Sequence, residues 1–330
     1  MISRVAEHCF WLSRYLERLE NTARVIEVNQ TLLLDFRVPT EHQWKPLLTI
    51  CGIHDLEGDL ESEQVQRYLT WEVKNPSSIC NSLGYARENA RVIREVVSAE
   101  MWERLNHAYL WLKSNKAQNS YETNRSEFYN QIRRINQMIW GIAEGTMGHG
   151  EPMDFFKLGR YLERACQTAR ILDVKYHQLL PTPQHLGTAV DSAYWSAILT
   201  SCSAYEPYLK QKTSTRPVSV SEFLVMNLLF PRSVRYCLRQ CQSAAHTISG
   251  RPLSRPENDV EKQLCDLLGW LQLVDMSDIV EVGLHESLTK IIDAIHEIGD
   301  AIHRTYFDVG LEQYTSSMSE KPPKSTTVSA

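Results

Sequence analysis

Apolar residues recur near the start of the chain at the spacing of one face of an α-helix. They run from Leu12 to Leu33 in steps of three or four residues, and Gln30 is the one polar residue among them. Pro39 follows soon afterwards and cannot continue a helix. The pattern predicts a helix over about residues 4–35 that turns a single apolar face to the core.

The most distinctive stretch of this helix occurs twice. RYLERLENTARVIEV begins at Arg14, RYLERACQTARILDV begins at Arg160, and nine of the fifteen positions are identical. The second copy has its own apolar stripe, from Leu158 to Leu179, with Pro181 just beyond it. A second long helix is therefore predicted.

The rest of the chain is also predicted to be helical, because no segment shows the sustained alternation of a β-strand. Glycine and proline are sparse, at 14 and 13 in 330 residues, which favours helices over a many-stranded β fold. The further predicted helices cover residues 44–51, 62–73, 77–97, 99–117, 124–147, 189–202, 219–229, 232–249, 257–274 and 285–309.

The internal similarity extends beyond the two motifs. Three later segments of the first half each resemble a segment of the second half, in the same order. The matched pairs are 44–52 with 195–203, 75–93 with 230–248, and Phe128–Ile142 with Leu288–Ile302. Chance similarities would not be colinear, so these matches predict a full-length internal duplication.

The predicted fold class is all-α: a large helical bundle built from two duplicated halves with pseudo-two-fold symmetry. The first half is expected at residues 1–150 and the second, packed on the first, at 151–314. Residues 315–330 lack large apolar side chains apart from Met318 and Val328, and are predicted to form a disordered tail.

Composition and charge limit the binding partners and the cellular compartment that we expect for this protein. Apolar residues make up 43% of the chain, and the net charge of −5 gives no basic excess for binding nucleic acid or an anionic membrane. Arg4 and Glu7 interrupt any signal sequence, and no stretch is apolar enough to span a membrane. The eight scattered cysteines then suit a cytoplasmic protein with reduced thiols.

Charged residues are repeated along with the motif. The first copy has Arg14, Glu17, Arg18 and Arg24, and Arg and Glu recur at the matching positions of the second copy. Exposed ion pairs contribute only about 0.2–1 kcal/mol each, which does not explain why both copies keep them. Three interpretations remain: a solvated surface, a buried ion-pair network between helices, or a site for a charged ligand.

Common catalytic and cofactor motifs are absent. A di-metal bundle needs Glu-x-x-His from two helices, but neither Glu17 nor Glu163 has a histidine three residues on. Cys237 and Cys241 share a helix face without a second pair at zinc-ligand spacing. Phosphate-binding glycine loops and nucleophile elbows are also missing. No cofactor or metal is expected.

These residues resemble a known bacterial family. MISRVAEHCFWLSRYLERLENTARVIEVN at residues 1–29 is similar to the start of the alpha-E family, which has no established function. Further blocks that resemble the family lie in order at residues 86–106, 159–174, 193–208 and 230–238, and the resemblance covers about 1–314. The chain departs from it at Cys166, where an acidic residue is usual. The second motif thus lacks a counterpart of Glu20, and the first half is the better candidate site.

The resemblance implies an all-helical protein named for its glutamates. Members are encoded beside, or fused to, circularly permuted ATP-grasp proteins, often near transglutaminase-like proteins. ATP-grasp enzymes join a carboxylate to an amine through an acyl phosphate, so the family implies a role in a peptide- or amide-forming system. The expected partner is such an ATP-grasp protein. A transglutaminase-like protein or a peptide substrate is a further candidate partner that the family implies. Binding to nucleic acid or to a membrane is not expected.

Two classes of function follow. The preferred one is a non-catalytic or accessory partner of an ATP-grasp carboxylate–amine ligase. The alternative is an enzyme that uses a Glu/Arg cluster for acid–base chemistry on a peptide or amide, and a second alternative is a metal-dependent hydrolase. The candidate catalytic residues are Glu17, Glu20 and Glu163, and the candidate ligand-binding residues are Arg14, Arg18, Arg24, Arg160, Arg164 and Arg170.

Overall fold

The computed structural model describes residues 3–36, 44–53, 56, 61–179, 189–211, 216–275, 279 and 283–308. Pro39, Pro181 and the predicted tail at 315–330 lie outside the described residues.

Every regular element in these ranges is a helix, which confirms the predicted all-α class. The helices are α1 (Ser3–Phe36), α2 (Lys45–Ile50), α3 (Ser62–Thr70), α4 (Ile79–Val92), α5 (Ala99–Leu112), α6 (Asn115–Thr123), α7 (Arg125–Thr146), α8 (Glu151–Leu179), α9 (Ala189–Ser201), α10 (Tyr205–Leu209), α11 (Pro217–Met226), α12 (Val234–Ser249), α13 (Asp259–Leu273) and α14 (Leu284–Ile302), followed by a π-helical turn at His303–Phe307.

Polar N-cap residues determine where several helices start. At each of these caps the side-chain oxygen accepts a hydrogen bond from the backbone N–H three residues on, which satisfies one of the free donors of the first turn. The caps are Ser78, Ser98, Asn124, Ser233 and Asn258.

The predicted helix at 99–117 was wrong in its extent. Helix α5 ends at Leu112 and α6 begins at Asn115. Between them the Ser114 hydroxyl donates a hydrogen bond to the Trp111 carbonyl oxygen, so a local side-chain contact replaces the helical ladder. The short helix α10 was not predicted at all.

Helix α1 is buried on almost every side, because α4, α7, α8 and α9 pack around it. The predicted apolar stripe from Leu12 to Ile26 is buried, but it is not the only buried face. Besides its apolar stripe, the helix buries a second set of side chains that are polar or charged. These are Ser13, Glu17, Glu20, Asn21, Thr22, Arg24 and Asn29.

Helix α8 lies in a matching environment, packed against α1, α2, α12 and α14. The contact of α2 with α8 and that of α9 with α1 both cross the predicted boundary near residue 150. The two copies of the charged motif are consequently brought side by side in the interior. A common origin of the two halves stays a prediction.

Gly159 marks the closest approach of α8 to α1. A Cβ atom at this position would lie 2.3 Å from the Phe10 carbonyl oxygen and 2.3 Å from the Ser13 hydroxyl oxygen, far inside any normal contact. The two helices can pack this closely only because residue 159 has no side chain.

We expect Gly159→Ala to lower the free energy of unfolding by about 1–3 kcal/mol, because the new methyl group forces α1 and α8 apart. Denaturant titration followed by circular dichroism measures this change. Gly269→Ala in α13 is the matched control, since a Cβ there meets nothing within 4 Å. If Gly159→Ala were as stable as that control, the close approach would be contradicted.

None of the helices in the described ranges is long and apolar enough to cross a membrane.

Candidate functional site

The two motif copies exchange ion pairs across the α1–α8 contact. Arg18 of α1 donates from Nε to Glu163 Oε1 at 2.8 Å. In the reciprocal direction, Arg164 of α8 donates from Nε and Nη2 to the two oxygens of Glu17, both at 2.8 Å. Each motif thus supplies the arginine that neutralises the glutamate of the other.

Glu163 has a second arginine partner. The Arg14 Nε donates to Glu163 Oε2 at 2.8 Å, so both carboxylate oxygens accept from guanidinium groups. Burial alone would raise the pKa of Glu163, but the charges of Arg18 and Arg14 hold this pKa well below its usual range. The carboxylate is therefore kept ionised.

Glu17 is fully buried and surrounded by three arginines. Besides the bidentate Arg164, the Arg232 Nη1 donates to Glu17 Oε1 at 2.9 Å, and the Arg160 Nε lies 3.7 Å from Oε2. Burial opposes ionisation, yet Arg164 and Arg232 outweigh it and lower the pKa of Glu17 far below that of a free glutamate.

Glu20 completes the set of buried carboxylates. It forms an ion pair with Arg24 one turn along α1, accepts from Arg232 Nη2 at 2.8 Å, and accepts from the Asn136 side-chain amide at 2.6 Å. Burial raises its pKa, but Arg232 and Arg24 reverse the direction, and the resulting pKa lies below the ordinary value.

Arg232 was missed by sequence reasoning, although it bridges Glu17 and Glu20 from the turn before α12. A signal for it existed in the internal comparison. The matched segments at 75–93 and 230–248 place Ser77 opposite Arg232, so the second half adds one cation that the first half lacks. This added cation pairs with both Glu17 and Glu20.

Cys166 occupies the position of the second motif that matches Glu20 of the first. The Cys166 Sγ lies 3.7 Å from His296 Nε2, and Arg170 Nη2 donates to that nitrogen at 3.0 Å. In the internal alignment His296 corresponds to Asn136, the partner of Glu20. The structure therefore places Arg170 beside His296, apart from the ion pairs that hold the other five candidate arginines.

The network formed by these residues contains more cations than anions. Six arginines face three glutamates, namely Arg14, Arg18, Arg24, Arg160, Arg164 and Arg232 against Glu17, Glu20 and Glu163. Arg160 shows the effect of this surplus of positive charge. Burial and the neighbouring charge of Arg164 lower the pKa of its guanidinium group. The ring of Trp140, 3.7 Å from the Arg160 guanidinium, provides a cation–π contact that offsets part of this cost.

This arrangement does not suit proton transfer. A general base works best when its pKa lies near the operating pH. The arginines instead lower the pKa of each of the three buried glutamates below the ordinary value of a glutamate. The Cys237 thiol beside the network is no better placed as a nucleophile, because burial raises its pKa to about 12. The predicted catalytic role of the three glutamates remains a prediction.

Metal binding finds no support in the part of the chain that the structure describes. No group of three or more histidine, cysteine, aspartate or glutamate side chains there is arranged to hold a metal ion. The buried carboxylates already have guanidinium partners where a cation would have to bind.

Comparison with known proteins identifies the family of this chain. Residues 1–307 match the alpha-E family, described as a predicted alpha-helical domain with a conserved ER motif, and this chain has Glu-Arg at 17–18 and at 163–164. Uncharacterized proteins of Mycobacterium bovis and Mycobacterium tuberculosis are 23% identical over 317 residues. The alignment covers 89% of this chain but only 35% of each relative. No solved structure matches. With nearly its whole length matched, the chain belongs to the alpha-E family.

Proposed function

We propose that this protein is a non-catalytic, accessory partner of an ATP-grasp carboxylate–amine ligase in a peptide-modifying or amide-forming system. The observation that carries the proposal is the closure of the Glu/Arg network. Glu17, Glu20 and Glu163 each accept from at least two arginines and are held ionised, which suits a rigid scaffold better than an acid or base.

The network also explains how such a scaffold would keep its shape. Arg232 ties the turn before α12 to α1, and the crossed pairs tie α1 to α8. A buried ion pair is costly to break once one partner is removed, so the relative positions of these helices are strongly specified.

The relatives support a role beside another protein segment. Because the chain spans 35% of their length, each of them carries a longer stretch of polypeptide beside the region similar to this chain. The family resemblance implies that this stretch is of the ATP-grasp type, and we propose a partner of the same type for this protein. Because such a ligase consumes ATP, we propose a cytoplasmic location for the pair.

Co-purification tests this function. We expect the protein to form a stoichiometric complex with a circularly permuted ATP-grasp protein encoded in the same genome, detected by size-exclusion chromatography with light scattering at low salt. An unrelated ATP-grasp ligase is the control. Two folded proteins that elute separately at micromolar concentrations would contradict the proposal.

The enzymatic alternatives have their own distinguishing result. If the protein alone cleaved or formed an amide, and Glu17→Gln abolished this without changing the thermal midpoint, the cluster would be catalytic. A stoichiometric metal in the purified protein would favour the hydrolase. We expect neither catalysis by the isolated protein nor a bound metal, because the oxygens of the buried carboxylates already accept hydrogen bonds from arginines.

A further inference from the structure

A cavity of about 410 Å³ opens between α1, α7 and α9, next to the Glu20 end of the network. Its volume lies in the range of small-molecule sites. Its lining combines two arginines and one glutamate with small or aliphatic side chains and three hydroxyl groups. The charged residues of the lining are Arg24, Glu27 and Arg133.

Arg24 is the first of two residues in this lining that have an unused donor. Its side chain is almost wholly buried, with 1% of the residue exposed. The Nη2 atom bonds Glu20 and the Nη1 atom donates to Asn21 Oδ1 at 3.3 Å, but the buried Nε has no hydrogen-bond partner among the described residues. A buried N–H group without a partner is unfavourable and calls for an acceptor.

Arg133 of α7 is the second. Its Nη1 atom donates to Glu27 Oε2 at 2.6 Å, while its buried Nε, like that of Arg24, has no partner within the described ranges. Two guanidinium groups from different helices therefore line one cavity, and each has a buried Nε–H group without a partner in the described ranges.

The other lining groups offer little hydrogen-bonding competition. The hydroxyl groups of Thr31, Ser196 and Thr200 donate to carbonyl oxygens of their own helices, at 3.1, 2.8 and 2.7 Å. The remaining wall is apolar, with Val28 and Leu32 on α1 facing alanines of α9. A ligand that fits would carry an anionic head for the arginines and an aliphatic body for the wall.

We propose that this cavity binds a short aliphatic monocarboxylate. Arg24 and Arg133 are already paired with Glu20 and Glu27, but the adjoining network holds six arginines against three glutamates, and this positive surplus favours an anionic head group. A carboxylate brings one negative charge close to Glu27, whereas a phosphate dianion would bring two. The planar carboxylate is also the natural acceptor for guanidinium N–H groups.

The site is independent of the proposed accessory function, because the described residues that line it all belong to this chain. Binding can be measured on the isolated protein, and complex formation with an ATP-grasp protein is a separate experiment. If the protein does not bind the ligand, the proposed accessory function is unaffected, and if no complex forms, the proposed binding site is unaffected.

Isothermal titration calorimetry with sodium hexanoate tests the site on the full chain. We expect saturable binding at a 1:1 ratio, with 1-hexanol and inorganic phosphate binding at least about tenfold more weakly. Arg133→Gln should weaken hexanoate binding by roughly tenfold or more, because it removes a charged donor. The matched control is Arg134→Gln, the next residue of α7, whose side chain is 66% exposed and pairs with Glu127 instead; it should leave affinity unchanged.

A second variant probes the apolar wall without touching any charge. Ala193→Leu adds bulk to the partly exposed position where α9 meets the cavity, and should abolish binding while the helical circular dichroism signal is preserved. The proposal is overturned if the wild-type protein does not bind hexanoate at millimolar concentration. It is equally overturned if phosphate binds more tightly, or if binding survives unchanged in both Arg133→Gln and Ala193→Leu.

Discussion

Glu17→Gln is expected to lower the free energy of unfolding by about 3–5 kcal/mol, the usual cost of removing one partner from a buried ion pair. The variant leaves the guanidinium groups of Arg164, Arg232 and Arg160 without their common counter-charge. The glutamine amide also points N–H donors at other donors in a fully buried position. Urea denaturation followed by circular dichroism measures the loss, against a total of about 5–15 kcal/mol for a typical domain.

Glu88→Gln is the matched control for this substitution. Glu88 also pairs with two arginines, Arg87 and Arg91, but it lies on the surface of α4 with its side chain 49% exposed. Solvent screens those pairs, so the loss should stay below about 1 kcal/mol. Equal effects of the two substitutions would show that the Glu17 site is open to water, contrary to the structure.

Acid should destabilise the protein steeply below about pH 4.3, the pKa of a glutamate in an unfolded chain. The arginines lower the pKa of Glu17, Glu20 and Glu163 in the folded state, so these groups stay ionised there while the unfolded chain takes up protons. Their stabilisation is complete at neutral pH and is lost as the pH falls towards the folded-state values. Each contributes about 1.4 kcal/mol per pH unit in that window, and the three together about 4 kcal/mol.

Urea denaturation at successive pH values between 7 and 3 measures this dependence. We expect a nearly constant free energy of unfolding between pH 7 and 5 from these groups, followed by the steep fall. Glu163→Gln removes one of the three titrating carboxylates and should reduce the slope below pH 4.3 by about one third. A slope that is the same in this variant would mean that Glu163 does not stay ionised in the folded protein.

Much of the helical framework could be predicted from local sequence. The helices predicted at 77–97, 99–117 and 124–147 begin within two residues of α4, α5 and α7, because helix period is a local property of the chain. Ser78, Ser98 and Asn124 cap these starts. Prediction failed where a single side-chain contact ended a helix, as at Ser114, since periodicity alone does not register such a contact.

The candidate site was predictable as a set of residues but not as a geometry. Repetition of Arg and Glu in both motifs pointed to Glu17 and Glu163, and the structure closes both with arginines of the opposite helix. Arg232 was not predicted as a member of the network, because it lies more than two hundred residues from Glu17 and outside the motif. Its role depends on the approach of the turn before α12, which no local pattern encodes.

The sequence by itself determined that this chain is helical, that it carries two related long helices, and which arginines and glutamates they bear. Only the tertiary structure decided that these charges lie inside the protein and which arginine neutralises which glutamate. The physical reason is that the effect of a charged side chain depends on its burial and on its partner, and both arise from the packing of segments far apart in the chain. A helical pattern read alone assigns Glu17 to the flank of α1, but the packing of α8 and the turn before α12 turns that flank into the centre of the ion-pair network.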